Sequence, residues 1–226
     1  VCGRYVIDFH WYQLKAALYD LGLQHPEPEP GAHFNVAPTQ LGWVLATDGA
    51  NGAKAGQMAW GLVPAWSADG KASFSGFNAR AETVATSRAF RGPFKSRRCL
   101  VPASGYYEWQ QLDPGNDKSE KRPHYIHLKD QPVMLFAGIW ERWGRGEDEK
   151  LTYSIVTQEA LGPAAQLHNR NPVVIPGDLA KEWIHGSADN AAGILAALGT
   201  PDFDFYPVGK AVGNVRNQGP QLIERV

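Results

Sequence analysis

Six apolar runs crowd the middle of the chain: LGWVLAT (41–47), GQMAWGLVPAW (56–66), RCLVPASGYYEWQQL (98–112), HYIHLK (124–129), VMLFAGIW (133–140) and LTYSIVT (151–157). They are rich in β-branched and aromatic residues, and runs of that make-up read as strands. The segments DGANG (48–52), DPGNDKSEKRP (113–123) and GRGEDEK (144–150) separate pairs of them. Gly, Pro, Asn and Asp concentrate there because they take up turn conformations at little cost, so these read as hairpin connections. A chain built this way folds around a largely antiparallel sheet. The charged hairpin tips read as solvated loops and receive no function.

Helical signals sit at the ends. Trp11, Leu14, Leu18 and Leu21 follow helical spacing, with Asp8 as the predicted N-cap and Gly22 as the stop. Residues 79–90 read as a second helix. A third follows Gly177 with Asp178 as its cap, a fourth covers 187–198, and FDFYPV (203–208) reads as a last strand. HPEPEPG (25–31) reads as a surface connection. The predicted class is α+β, one domain over 1–226, with a curved or barrel-like antiparallel sheet.

The net charge of -1 gives no general pull toward polyanions, so a nucleic-acid site must be a local patch. No apolar stretch is long enough to cross a membrane, and no signal peptide is visible. Two cysteines, Cys2 and Cys99, are too few for a disulfide framework or a thiolate zinc site. A reduced, cytoplasmic monomer is expected, with no membrane, metal or cofactor.

Cys2 raises a chemical question. As the first residue of a mature chain it carries a thiol and a free α-amine, with ordinary pKa values of about 8.5 and 7.7–8.0. Such a 1,2-aminothiol condenses with an aldehyde to an imine, and the thiol then closes a five-membered thiazolidine. With Val1 retained, the amine is locked in an amide and this route is closed. The bland alternative is an inert thiol near a chain end.

Other stretches offer two readings each. GFNARAET (76–83) places Asn78 and Arg80 before a helical run. TSRAFRGPFKSRR (86–98) carries Arg88, Arg91, Lys95, Arg97 and Arg98 interleaved with Phe90 and Phe94. That suits a nucleic-acid backbone with stacked bases, or equally a solvated helix face with its phenylalanines in the core. Glu108, inside SGYYEW (104–109), is either salt-bridged or functional, and burial would raise its pKa and make it a useful acid or base. His168 and Arg170 stand before the apolar run of LHNRNPVVIP (167–176), where a histidine is either structural or catalytic.

Several blocks occur in a fixed order: CGRY (2–5), FNVAP (34–38), WGLVPAW (60–66), NARAET (78–83), RRCLVPASGYYEW (97–109), HNRNPVVI (168–175) and AVGNVRNQG (211–219). Together they resemble the SRAP family, the SOS response-associated peptidase domain, over essentially the whole chain. The resemblance implies a single α+β domain with a bifurcated, mostly antiparallel, barrel-containing sheet surrounded by helices. It implies a sensor and shield of abasic sites in single-stranded DNA, whose sugar aldehyde is trapped as a thiazolidine crosslink by the residue matching Cys2. It implies that Asn78 positions the amine and sugar, that Glu108 lies beside the amine, and that His168 serves the sugar. Arg80 and Arg170 match backbone-binding arginines, and Trp66 and Arg4 fall in DNA-side motifs. Self-removal of the N-terminal residue, DNA lyase activity and association with the nucleoid when bound to DNA are further implications. Two other readings stay open, a cysteine peptidase using Cys2, His168 and Glu108, and a non-covalent binder of single-stranded or modified DNA.

Two departures stand out. Asn169 replaces an acidic residue of many relatives, beside the variable position of Asn171, which bears on how His168 is oriented. Val1 precedes the cysteine. It is expected to record a GTG start codon, read as methionine and removed.

Overall fold

The computed structural model describes the chain except residues 1, 19–20, 23–30, 48, 50–51, 72–75, 114 and 117–118. HPEPEPG, most of DGANG and Val1 therefore lie largely or wholly outside the described residues. The strands are β1 (Tyr5–Ile7), β2 (His33–Val36), β3 (Leu41–Thr47), β4 (Ala53–Trp60), β5 (Asn78–Arg80), β6 (Arg98–Ala103), β7 (Gly105–Gln111), β8 (Lys121–Leu128), β9 (Met134–Trp143), β10 (Lys150–Glu159), β11 (Arg170–Pro172) and β12 (Phe203–Pro207). The helices are α1 (Trp11–Ala17), α2 (Arg91–Ser96), α3 (Ala180–His185) and α4 (Ala188–Ala197).

These form a single α+β domain with two sheets. One runs β12-β8-β7-β1-β2 and is antiparallel throughout. The other runs β11-β10-β4-β3-β6-β9, and a further pairing of β9 with β10 closes β10, β4, β3, β6 and β9 into a ring. That ring-like sheet stands where the sequence predicted a barrel-like part. Both β4 and β5 run parallel to β10 on the same edge, through Tyr153↔Trp60 and Ile155↔Asn78. The hairpins β7–β8 and β9–β10 form as their turn residues predict.

Several expectations need correction. RCLVPASGYYEWQQL is two strands in two sheets, not one. The chain breaks at Ser104, whose backbone N–H donates to Val6 O and whose hydroxyl accepts from Asp8 N–H. Asp8 is thus a neighbour of that corner. The α1 cap is His10, with the Gln13 side chain accepting the His10 N–H at 2.8 Å. The predicted helix over 79–90 is instead the short strand β5, followed by turns, with a helix only at α2. Pairing to β10 captures Asn78–Arg80 as strand, and Thr86 Oγ1 donates to Thr83 O at 3.3 Å, a side-chain partner for the backbone of the kind that competes with helix. Asp178 lies in a 3-10 turn before α3, which has no side-chain cap. α4 is capped as its sequence suggests, Ser187 Oγ accepting from Asn190 N–H at 3.0 Å.

The two sheets meet over a shared core. Tyr5 and Tyr106 of the first sheet pack with Trp60, Phe136, Tyr153 and Ile155 of the ring, and Cys2 lies among them. Tyr5 and Trp60 make an edge-to-face pair with centroids 5.3 Å apart. Side chains of this size each contribute about 1.5–3 kcal/mol through removal from water. The Tyr5 and Tyr153 hydroxyls bond each other at 2.8 Å, so neither is left unpaired in the core. Gly42 is required beside them, because any Cβ there would collide with both hydroxyls.

The basic run TSRAFRGPFKSRR resolves into separate roles. Arg98 is buried and caps two helix ends, donating to Phe94 O at 2.7 Å and Lys95 O at 3.0 Å, to Trp183 O at 2.6 Å, and to Gly186 O. A cation at a helix C-terminus is favoured by the carbonyls it faces. Arg97 pairs with Glu141 at 2.9 Å, and Phe94 is core. Arg88, Arg91 and Lys95 remain exposed.

Candidate functional site

Cys2, Asn78, Glu108 and His168 come from four separate parts of the chain. β5 is aligned by its pairing with β10, and Phe77 O accepts from both Ile155 N–H at 3.1 Å and Trp60 Nε1–H at 2.8 Å. This fixes Asn78, whose Nδ2–H donates to Cys2 O at 2.9 Å. The Asn78 Oδ1 atom is buried and has no hydrogen-bond partner among the described residues. A buried orphaned acceptor costs free energy unless something donates to it.

Cys2 is wholly buried, 0% exposed. Burial pushes its thiol far above the usual range, and the charge of Glu108 adds to the rise. The N-terminal positive charge and the backbone N–H of Arg4 work against it. Glu108 sits in β7, also buried, and burial raises its carboxyl above the ordinary value. The N-terminal charge, the Trp109 N–H and the Lys121 ammonium oppose that rise without cancelling it. The net effect is a carboxyl raised above its ordinary value.

His168 is half-buried, and its Nδ1 accepts the Arg170 N–H at 3.0 Å. In the neutral ring the proton therefore sits on Nε2. Burial, with the N-terminal charge second, pushes the imidazole down to about 4, so it is neutral near pH 7. The departure at Asn169 loses its importance here, since the backbone of Arg170 orients the ring. Lys121 was not anticipated. It closes a hairpin connection that received no function, yet its charge acts on both Glu108 and His168.

The family model for SOS response associated peptidase (SRAP) matches residues 1–215. The chain belongs to the SRAP family. This SRAP chain is 33% identical over 228 residues to the abasic site processing protein YoqW of Bacillus subtilis, covering 99% of each. It is 34% identical over 206 residues to the abasic site processing protein YedK of Escherichia coli, covering 88% of this chain and 87% of the other. Among solved structures, a phage-related protein of Bordetella bronchiseptica superposes with a TM-score of 0.73 at 32% identity, covering 92% of this chain and 95% of that one. A protein from Bacteroides thetaiotaomicron shares the fold at TM-score 0.75 and 21% identity, over the whole of both chains.

The remaining sequence candidates in this SRAP domain divide. Arg80 is exposed, two residues beyond Asn78 on β5, and makes no ion pair among the described residues. Trp66 is 57% exposed, with the Arg88 guanidinium stacked 4.5 Å above its ring. Together they line a cleft of about 250 Å³ with Pro64 and Arg91. Arg170, matched by the resemblance to a backbone-binding arginine, is engaged within the chain. It forms a two-pronged ion pair with Glu82 at 2.7 and 2.9 Å and donates to Thr157 O at 2.6 Å. Arg4 also turns inward, donating to Val212 O at 2.9 Å and Asn35 Oδ1 at 3.1 Å. No group of three or more His, Cys, Asp or Glu able to hold a metal occurs among the described residues. No helix among them is long and apolar enough to cross a membrane.

Proposed function

We propose that this protein senses and shields abasic sites in single-stranded DNA, trapping the sugar aldehyde as a thiazolidine on Cys2. The observation that carries this reading is the setting of Cys2. Its backbone is held by Asn78, its thiol is buried and neutral, and Glu108, whose carboxyl burial raises above its ordinary value, acts on it electrostatically. The names of YoqW and YedK as abasic site processing proteins support the substrate class.

The order of steps follows from the neutral thiol. Removal of residue 1, by self-cleavage or an aminopeptidase, frees the Cys2 amine. A thiol held neutral is a weak nucleophile, so the amine attacks C1′ of the open-chain sugar first. Glu108 gives its proton to the departing hydroxyl oxygen, water leaves, and an imine remains. Asn78 Oδ1 accepts an N–H of the attacking amine. The imine leaves the loss of water protonated on nitrogen; the thiol adds to its carbon, the S–C1′ bond forms, and the thiol proton passes to the Glu108 carboxylate, restoring its acid form. Aldehyde plus aminothiol thus give thiazolidine plus one water. His168 contributes as a neutral Nε2–H donor to the sugar ring oxygen while the ring opens. Arg80 meets a flanking phosphate.

The test uses single-stranded DNA from which one uracil has been excised, and a protein whose first residue is Cys2. A denaturant-resistant adduct is expected, absent in Cys2→Ala and absent when an extra residue precedes Cys2. No adduct with the wild type, or an undiminished one with Cys2→Ala, sinks the proposal. Turnover of peptides without DNA would favour the peptidase reading instead.

A further inference from the structure

Three of the sequence blocks, CGRY, FNVAP and AVGNVRNQG, meet in one network that the chemistry above leaves unused. Its hub is Asn35 of β2, fully buried at 0% exposure. The Asn35 amide donates to Asn214 O at 3.0 Å, Val212 O at 3.2 Å and Asn217 O at 3.3 Å. Its carbonyl oxygen accepts from Arg4 Nη1 at 3.1 Å. The same guanidinium donates to Val212 O at 2.9 Å and Gly213 O at 3.4 Å, and rests 5.8 Å from the Trp109 ring. Gln218 Oε1 closes the network by accepting the Phe34 N–H at 2.9 Å.

The backbone of Arg4 points the other way. Its carbonyl accepts the Tyr107 N–H at 3.0 Å, on the strand that carries Glu108 one residue later. Arg4 is thereby pinned on both sides, by β7 through its main chain and by residues 212–213 through its side chain. Cys2 is pinned by Asn78. Between these anchors lies Gly3, the most permissive residue in backbone conformation. With the Arg4 side chain released, only the main-chain bond to β7 and the Asn78 bond to Cys2 hold the reacting end relative to Glu108.

We infer that Arg4 is a positioning residue for the Cys2 reaction, held by a brace of Asn35 and residues 211–219, and is not a ligand of the DNA backbone. The inference rests on the proposed crosslinking function. It gives the C-terminal block a role in chemistry that takes place at the opposite end of the sequence. The fork of the guanidinium matters, because one ammonium cannot reach Asn35 Oδ1 and two backbone carbonyls in the same geometry.

The experiment compares wild type, Arg4→Lys, Arg4→Ala and Asn35→Ala, each with Cys2 as the first residue. Affinity and its salt dependence are measured on single-stranded DNA carrying a tetrahydrofuran abasic analogue, which has no aldehyde. The single-turnover crosslinking rate is measured at saturating natural abasic DNA. All three variants are expected to react slower by about tenfold or more, since small displacements of reacting groups cost that much. Analogue affinity should stay within about twofold and the salt slope should not change. Arg4→Lys keeps the charge and the chain's capacity to fold, so it decides the matter should the other variants prove unstable. A phosphate ligand would tolerate the lysine. Wild-type rate at saturation in Arg4→Lys, or weakened analogue binding in Arg4→Ala with a salt slope lower by about 1, overturns the inference alone. Absence of any wild-type adduct overturns the proposed function, and this inference with it.

Discussion

Glu108→Gln should make the protein more stable and less reactive at once. The side chain is buried, and burial raises its carboxyl above the ordinary value near 4.5 that it has in the unfolded chain. A carboxyl raised in the folded state binds its proton more tightly folded than unfolded. Its contribution is therefore fully present below about pH 4.5 and is lost as pH climbs through the raised folded value. Each pH unit between those values costs the wild type about 1.4 kcal/mol. For a domain of this size that is about 3–6 °C in Tm per unit. Glutamine has the same shape and never ionises. The two proteins should melt alike at pH 4, and the variant should gain steadily above pH 5, levelling once the wild type is fully ionised. Scanning calorimetry or fluorescence melts across pH 4–8 measure the gap. Crosslinking to abasic DNA at pH 7 should meanwhile fall by about 10²-fold or more, as for loss of a positioned acid–base group. A variant that melts below wild type at pH 7.5 would show Glu108 to be a stabilising ion pair. A variant with wild-type crosslinking would remove it from the chemistry.

Three further outcomes are expected. His168 is depressed to about 4 from the ordinary 6.5, so the stability it contributes is present above pH 6.5 and lost as pH falls toward 4; His168→Gln should flatten that part of the Tm–pH curve, and an unchanged curve would refute the assignment. Arg80→Ala should weaken analogue binding and lower the salt slope by about 1, without slowing the reaction at saturating DNA, as read by fluorescence anisotropy across a salt series. Arg98→Lys should lower stability by about 2–4 kcal/mol in denaturant titration, since a lysine leaves buried carbonyls of the α2 and α3 ends unpaired; the crosslinking rate of the folded protein should not move.

The strands were legible because alternation and turn chemistry act locally. β3, β8, β9, β10 and β12 lie where their apolar runs predict, and α4 lies behind its Ser187 cap. What was not legible depends on partners distant in sequence. The break at Ser104 exists because Val6 and Asp8 bind it, and neither is visible from 98–112. β5 is a strand because β10 lies alongside, against a local pattern that favoured helix. At the candidate site, Cys2, Asn78, Glu108 and His168 were singled out by the resemblance, since residue type alone left a bland reading open. Their chemistry came from the fold, since the Nε2 tautomer of His168 needs the Arg170 N–H. The internal partners of Arg4 and Arg170 were not legible, because composition does not reveal which guanidinium finds an internal acceptor. Lys121 carried no sequence signal beyond a charged hairpin.

The shared edge of β10 has one more consequence. The chain leaves it at Trp60, opposite Tyr153, and returns at Asn78, opposite Ile155. Everything between, Trp66 included, is an excursion that begins and ends on the same rigid rail. Asn78 is aligned by the rail and not by the length of the detour. The exposed turn around Trp66 is thus the place to redesign for another DNA geometry, while Phe77 and β10 keep Asn78 in register.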